Sequence, residues 1–216
     1  MKAQINKIIE TLKEIYPSLQ EPIVTEVAKE GNPFFVLIST ILSLRTKDKT
    51  TKEATQKLLS VAKTPKEMLN LSVEEIAQLI YPVGFYNVKA KNILKVCEIL
   101  VEKYNSQVPN KLEDLLNLPN VGRKTANLVL SKGFNIPAIC VDIHVHRISN
   151  RLGIVKTKTP TQTEFELMKV LPKKYWIEYN DLLVPFGQNI CTPISPFCSK
   201  CKLESMCLKV GVKNSR

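Results

Sequence analysis

Helix boundary signals recur along this 216-residue chain and strand signals hardly occur, which confines it to all-α architectures before any motif is read. Asn32-Pro33 can serve as N-cap and first helical residue of the apolar run FFVLISTILSL. Thr64 with Glu67, Ser72 with Glu75 and Thr161 with Glu164 all have capping-box spacing. Pro17, Gly84 and Gly133 follow apolar-periodic stretches and read as stops. At the amino end Ile5, Ile8, Ile9, Leu12 and Ile15 share one helical face. The one clear alternating stretch, VDIHVHR from Val141 to Arg147, reads equally well as a helix capped by Asp142. The basic tail GVKNSR is the segment expected to be disordered.

Composition narrows the partner. Thirty-one Lys+Arg against 20 Asp+Glu give a formal charge of +11, which favours a polyanion, either nucleic acid or an anionic membrane. No apolar run approaches the length of a membrane span, and the opening MKAQINKIIETLKEIY lacks the core of a signal peptide, so a cytoplasmic location is expected. In a reducing compartment six cysteines are poor disulfide candidates. Cys191, Cys198, Cys201 and Cys207 crowd into C-x6-C-x2-C-x5-C, enough thiolates for a closed site for zinc or an iron–sulfur cluster. The uneven spacing and the two prolines of TPISPF favour the bulkier cluster over zinc. Cys97 and Cys140 lie in apolar context and read as buried small hydrophobes.

The stretch LPNVGRKTA, Leu118 to Ala126, is the strongest candidate for chemistry. Pro119 presets a turn, Asn120 tolerates a positive φ, and Gly122 lacks a Cβ and lets another backbone approach. The amides of the following helical turn can then seat a phosphate without reading a base. Lys124 beside Arg123 near the positive end of that helix is electrostatically disfavoured as an ammonium. That placement is expected to lower its pKa and favour the neutral, nucleophilic amine, with phosphate contact as the alternative role. Asp142, beyond the loop GFNIP, is the carboxylate available to manage a proton or stabilise developing positive charge, besides capping its helix.

The segment LPNVGRKTANLVLSKGFNIPAICVDIHVHRISNRLG, the cysteine spacing, and the upstream stretches NPFFVLISTILSLRTKDKTTKEATQKL and YPVGFYNVKAKNILKVC together resemble the endonuclease III family of helix-hairpin-helix DNA glycosylases. The resemblance implies an all-α, two-domain fold. Residues 27–136 would form a six-helix barrel carrying the hairpin, and residues 1–26 plus 137–216 a discontinuous cluster domain. It implies a bifunctional DNA glycosylase and abasic-site lyase of base excision repair, acting as a monomer on oxidised pyrimidines in damaged double-stranded DNA. Lys124 and Asp142 match the catalytic pair, and the four clustered cysteines match the ligands of a 4Fe-4S cluster. Asn120, Gly122, Arg123 and Thr125 match the DNA-gripping hairpin. Phe85 matches a wedge that enters the base stack, with a core aromatic beside Tyr86 as the equal alternative, and Arg45 replaces the glutamine that fills the vacated space in bacterial members. Lys200, Lys202 and Lys209 stand in for basic residues missing from TPISPF. His144 and His146 read first as surface or cap residues, with orientation of the Asp142 region as the alternative role of His144. A DNA-holding module with structural zinc and a mismatch or adenine glycosylase are the rival readings; Lys124 argues against the second, and trapping of a covalent adduct on abasic DNA discriminates the first.

Overall fold

The termini of the helices, more than their interiors, set the architecture of the computed structural model, which describes residues 2–216. The described residues form twelve α-helices: α1 (Lys2–Ile15), α2 (Ile23–Ala28), α3 (Pro33–Ser43), α4 (Asp48–Val61), α5 (Pro65–Met68), α6 (Val73–Ile80), α7 (Tyr86–Tyr104), α8 (Leu112–Leu116), α9 (Arg123–Leu128), α10 (Ile143–Arg151), α11 (Pro160–Val170) and α12 (Tyr179–Asn189). Among the described residues there is no strand. The ambiguous stretch at Val141 is resolved as α10, because the Asp142 Oδ1 accepts from the His144 and Val145 amides at 2.9 and 2.8 Å. Asn32 caps α3, Thr64 caps α5, and Ser72 with Glu75 closes a full capping box on α6. Two expectations shift. α11 starts at Pro160 with Thr159 as its cap, not at Thr161, because proline at the first helical position takes the slot where a missing N–H costs nothing. The tail is pinned rather than loose: Arg216 N donates to Pro196 O at 2.8 Å, and its guanidinium lies 3.8 Å from the Phe197 ring centroid.

The chain divides into two compact units, Met1–Pro22 with Pro137–Arg216, and Ile23–Ile136. In the first, the apolar face of α1 (Ile5, Ile8, Ile9, Leu12, Ile15) is buried with Val145 and Ile148 of α10, Leu167 of α11, and Leu183 and Phe186 of α12. An N-terminal helix is thus tied to the C-terminal third of the sequence. In the second unit α3 is apolar all round and correspondingly central, with Val36, Leu37, Ile38, Ile41 and Leu42 fully buried and α2, α4, α7 and α9 packed around it. Its buried hydroxyls are satisfied locally, Ser39 and Thr40 both donating to Val36 O. Ile23, Val24 and Val27 bury one side of α2, the helix with which the second unit begins. α9 runs into a π-helical turn, Val129–Gly133, that ends where a Cβ on Gly133 would lie 3.1 Å from Pro33 Cα at the start of α3.

Because Ile9 is fully buried in the first core, Ile9→Ala is expected to cost about 2–5 kcal/mol in denaturant unfolding through lost burial and the cavity left behind.

Candidate active site

The hairpin turn forms as its residues dictate. α8 closes with Leu118 N donating to Leu115 O, Val121 N returns to Leu118 O at 3.2 Å, and Asn120 adopts φ +61. Asparagine tolerates that left-handed conformation better than most residues. Gly122 is the N-cap of α9 with φ −90, it provides no side-chain cap, and a Cβ built on it would meet nothing within 4 Å. The backbone conformation therefore does not require glycine here, nor does any neighbour within the chain. Arg123 and Lys124 follow on the first turn, both half-buried, while Thr125 is buried. Lys124 stands at the second helical position, where first-turn amides point along the axis away from the helix.

Asp142 belongs to the other unit. It is half-buried, and both of its cap bonds fall on Oδ1, which leaves Oδ2 outside the cap. One turn on, the Arg147 guanidinium lies 3.1 Å from the His144 ring Nδ1 and donates to the Gly187 and Cys191 carbonyls at 3.1 and 2.9 Å. His146 Nδ1 lies instead 2.7 Å from the Thr163 hydroxyl.

The four clustered cysteines are free thiols lining one pocket, with Ile148, Leu152, Phe186 and Leu203 among its apolar walls. Burial pushes the Cys201 thiol up to about 11 and raises that of Cys207, against the Lys209 amide, which donates to the Cys207 sulfur at 3.3 Å. Metal binding here must therefore displace protons. Among the described residues no three His, Cys, Asp or Glu side chains converge on a point where one ion would sit. An all-thiol donor set supplied with N–H···S donors fits a thiolate-ligated metal centre, iron–sulfur or zinc. Sequence reasoning passed over the two arginines that hold this loop. Arg151, 8% exposed, donates to Thr192 O and Pro193 O at 2.7 Å each and to the Cys191 sulfur at 3.4 Å. Their spacing of four on α10 was the available signal. Cys97 and Cys140 are buried, and burial raises the Cys97 thiol to about 12.

Arg45 and Phe85, 40 positions apart, come together in the second unit, the guanidinium 5.6 Å from the ring centroid. Both are exposed and both have left-handed backbones, φ +54 and +59. Phe85 is 61% exposed, so it is not a core aromatic. Of the lysines named near the cysteines, Lys209 pairs with Glu204 at 2.7 Å.

Residues 38–173 match the family described as HhH-GPD superfamily base excision DNA repair protein. The endonuclease III of Thermotoga maritima is 52% identical over 179 residues, 83% of this chain and 84% of that one. The endonuclease III of Escherichia coli K12 is 40% identical over 196 residues, covering 90% and 93% of the two chains. The chain belongs to the HhH-GPD superfamily, in its endonuclease III branch. Among solved structures, a non-covalent endonuclease III–DNA complex superposes with a TM-score of 0.85 at 35% identity, covering 97% of this chain and 96% of that one. A trapped endonuclease III–DNA covalent intermediate superposes at 0.84 and 36%, with the same coverage. The all-helical endonuclease III fold and the enzyme class expected from sequence, a DNA glycosylase with abasic-site lyase activity, follow from this membership. Among the described residues no helix is long and apolar enough to cross a membrane.

Since a side chain at Gly122 would meet no part of the protein and serine is a good N-cap, Gly122→Ser is expected to leave thermal stability unchanged or raised. Its duplex affinity should fall about tenfold, measured by fluorescence anisotropy.

Proposed function

We propose that the protein removes oxidised pyrimidines from damaged duplex DNA and then cuts the strand 3′ to the abasic sugar, with Lys124 as nucleophile and Asp142 as its charge-stabilising and proton-managing partner. The observation that carries this reading is Lys124 on the first turn of α9, directly after an uncapped glycine turn open to solvent, in a chain similar to a protein trapped as a covalent DNA intermediate. The hairpin residues Asn120, Gly122, Arg123 and Thr125 hold the phosphate backbone through main-chain donors and positive charge. The target nucleotide leaves the stack, since C1′ cannot be reached within the duplex. The amine nitrogen of Lys124 forms a bond to C1′ as the glycosidic C–N bond breaks, and the base departs with a proton. Asp142, anchored through Oδ1, stabilises the positive charge on the sugar and passes the proton. Ring opening gives a Schiff base, loss of a C2′ proton breaks the C3′–O bond, and water releases the amine.

Arg45 and Phe85 act together on the helix being opened, Phe85 entering the stack and Arg45 facing the space beside it. Cys191, Cys198, Cys201 and Cys207 would hold a 4Fe-4S cluster, which would cross-link a segment in which only Pro196 and Leu203 are buried. In this reading the unit Ile23–Ile136 is the six-helix barrel, and the other unit is the cluster domain of a cytoplasmic monomer.

Borohydride reduction on DNA with an abasic site tests the chemistry: wild type should form a stable protein–DNA adduct and Lys124→Ala none, and an adduct with Lys124→Ala would sink the assignment. Asp142→Asn preserves an N-cap of equal quality, so folding should be kept while single-turnover base release falls about 10²–10³-fold. For the cofactor, purified protein should be brown with iron and sulfide bound. Cys198→Ser should lose the colour and much of its solubility, whereas colourless wild type with stoichiometric zinc would refute the cluster.

A further inference from the structure

The second unit buries one lysine that the chemistry above does not use. Lys89 is 3% exposed, and its ammonium donates to Leu42 O at 2.8 Å, Leu44 O at 2.6 Å and the Thr46 hydroxyl at 3.2 Å. Three donors meet three acceptors. The carbonyls belong to the end of α3, whose last-turn oxygens have no partner within the helix, and an ammonium suits the negative end of the helix dipole. Lys89 itself lies on the first turn of α7, its amide bonded to Phe85 O at 3.0 Å. The Thr46 hydroxyl also accepts from Gly84 N at 3.1 Å, and a Cβ on Gly84 would lie 2.7 Å from Arg45 O. The loop after α3 and the loop before α7 are therefore laced together beneath Arg45 and Phe85.

This arrangement is energetically expensive for a mere connection. Left-handed conformations at two non-glycine residues are sparsely populated and strained. Burial lowers the Lys89 pKa to about 8, a measure of how strongly the site resists the charge it holds. Such outliers persist where surrounding bonds over-determine them, and the bonds that do so here converge on one ammonium.

We propose that Lys89 is a positioning residue for base extrusion, its carbonyl cage holding Arg45 and Phe85 as one preassembled pair directed at the duplex. The proposal rests on the reading of Arg45 and Phe85 as the residues that open the helix. With the cage intact the pair meets DNA already ordered, and without it both side chains must be ordered during binding.

The test uses duplexes carrying 2-aminopurine beside an uncleavable abasic analogue, whose fluorescence rises when the stack opens, alongside single-turnover cleavage of a duplex lesion and of a single-stranded abasic site. Lys89→Met should diminish the fluorescence rise and slow duplex cleavage about tenfold, while single-stranded cleavage, which needs no wedge, stays within about twofold of wild type. Thr46→Val, which removes only the hydroxyl shared by Lys89 and Gly84, should act in the same direction by about threefold and decides the matter if Lys89→Met does not fold. Wild-type duplex signals in these variants, or equal losses on both substrates, would overturn the role of Lys89. Phe85→Ala in the same assay separates the two levels. If it too keeps the full rise, the wedge reading fails and the proposal with it; if it loses the rise while the Lys89 and Thr46 variants keep it, only the proposal fails.

Discussion

Backbone groups left over at helix ends are the constraint from which the rest of this structure follows. An α-helix leaves four amides and four carbonyls without internal partners at its two ends, and each must be met by a side chain, solvent or a ligand. The residues assigned to chemistry all stand at such ends. Asp142 caps α10, Lys124 follows the uncapped start of α9, Phe85 occupies the cap position of α7, and Arg45 lies just beyond the end of α3. Side chains cap the starts of α3, α5, α6, α10 and α11, while α4, α7, α8, α9 and α12 begin without one. At α9 the N-cap glycine has no side chain to offer, and a space with no protein atom within 4 Å of a built Cβ remains beside it. A chain of net charge +11 that holds such an end open is suited to a phosphate backbone.

The same constraint links the two units to their tasks. α1 and the C-terminal third share one core, so the segment that carries the cysteines is anchored by helices formed from both chain ends. Arg147 and Arg151, from a single face of α10, reach the carbonyls of the loop between the first two cysteines, and Asp142 begins that same helix. In the other unit α3 is the buried centre, and the loop that carries Arg45 follows its end.

What could be read from sequence was local. Asn32, Ser72 with Glu75, and Asp142 act within three or four residues of themselves, so their caps were legible, as was the apolar face of α1. Thr159 was missed for Thr161 because proline at the next position outweighs capping-box spacing. The tail was misread because its anchors, Pro196 and Phe197, lie 20 and 19 positions back. Lys89 left no trace in the pattern of α7, since its acceptors lie 43 to 47 positions away and a lysine at that register looks like any solvated helix residue. The pairing of Arg45 with Phe85 was invisible for the same reason, although each was picked out separately by the family resemblance.

The central claim is that the amine of residue 124 becomes covalently bonded to the sugar during turnover. Protein reduced with borohydride on abasic DNA, digested with nuclease and protease and sequenced by mass spectrometry, tests it most directly. The account predicts the sugar remnant on the peptide that contains Lys124 and on that lysine alone. A remnant on Lys89 or any other lysine, or strand cleavage with no adduct on the protein, would contradict it.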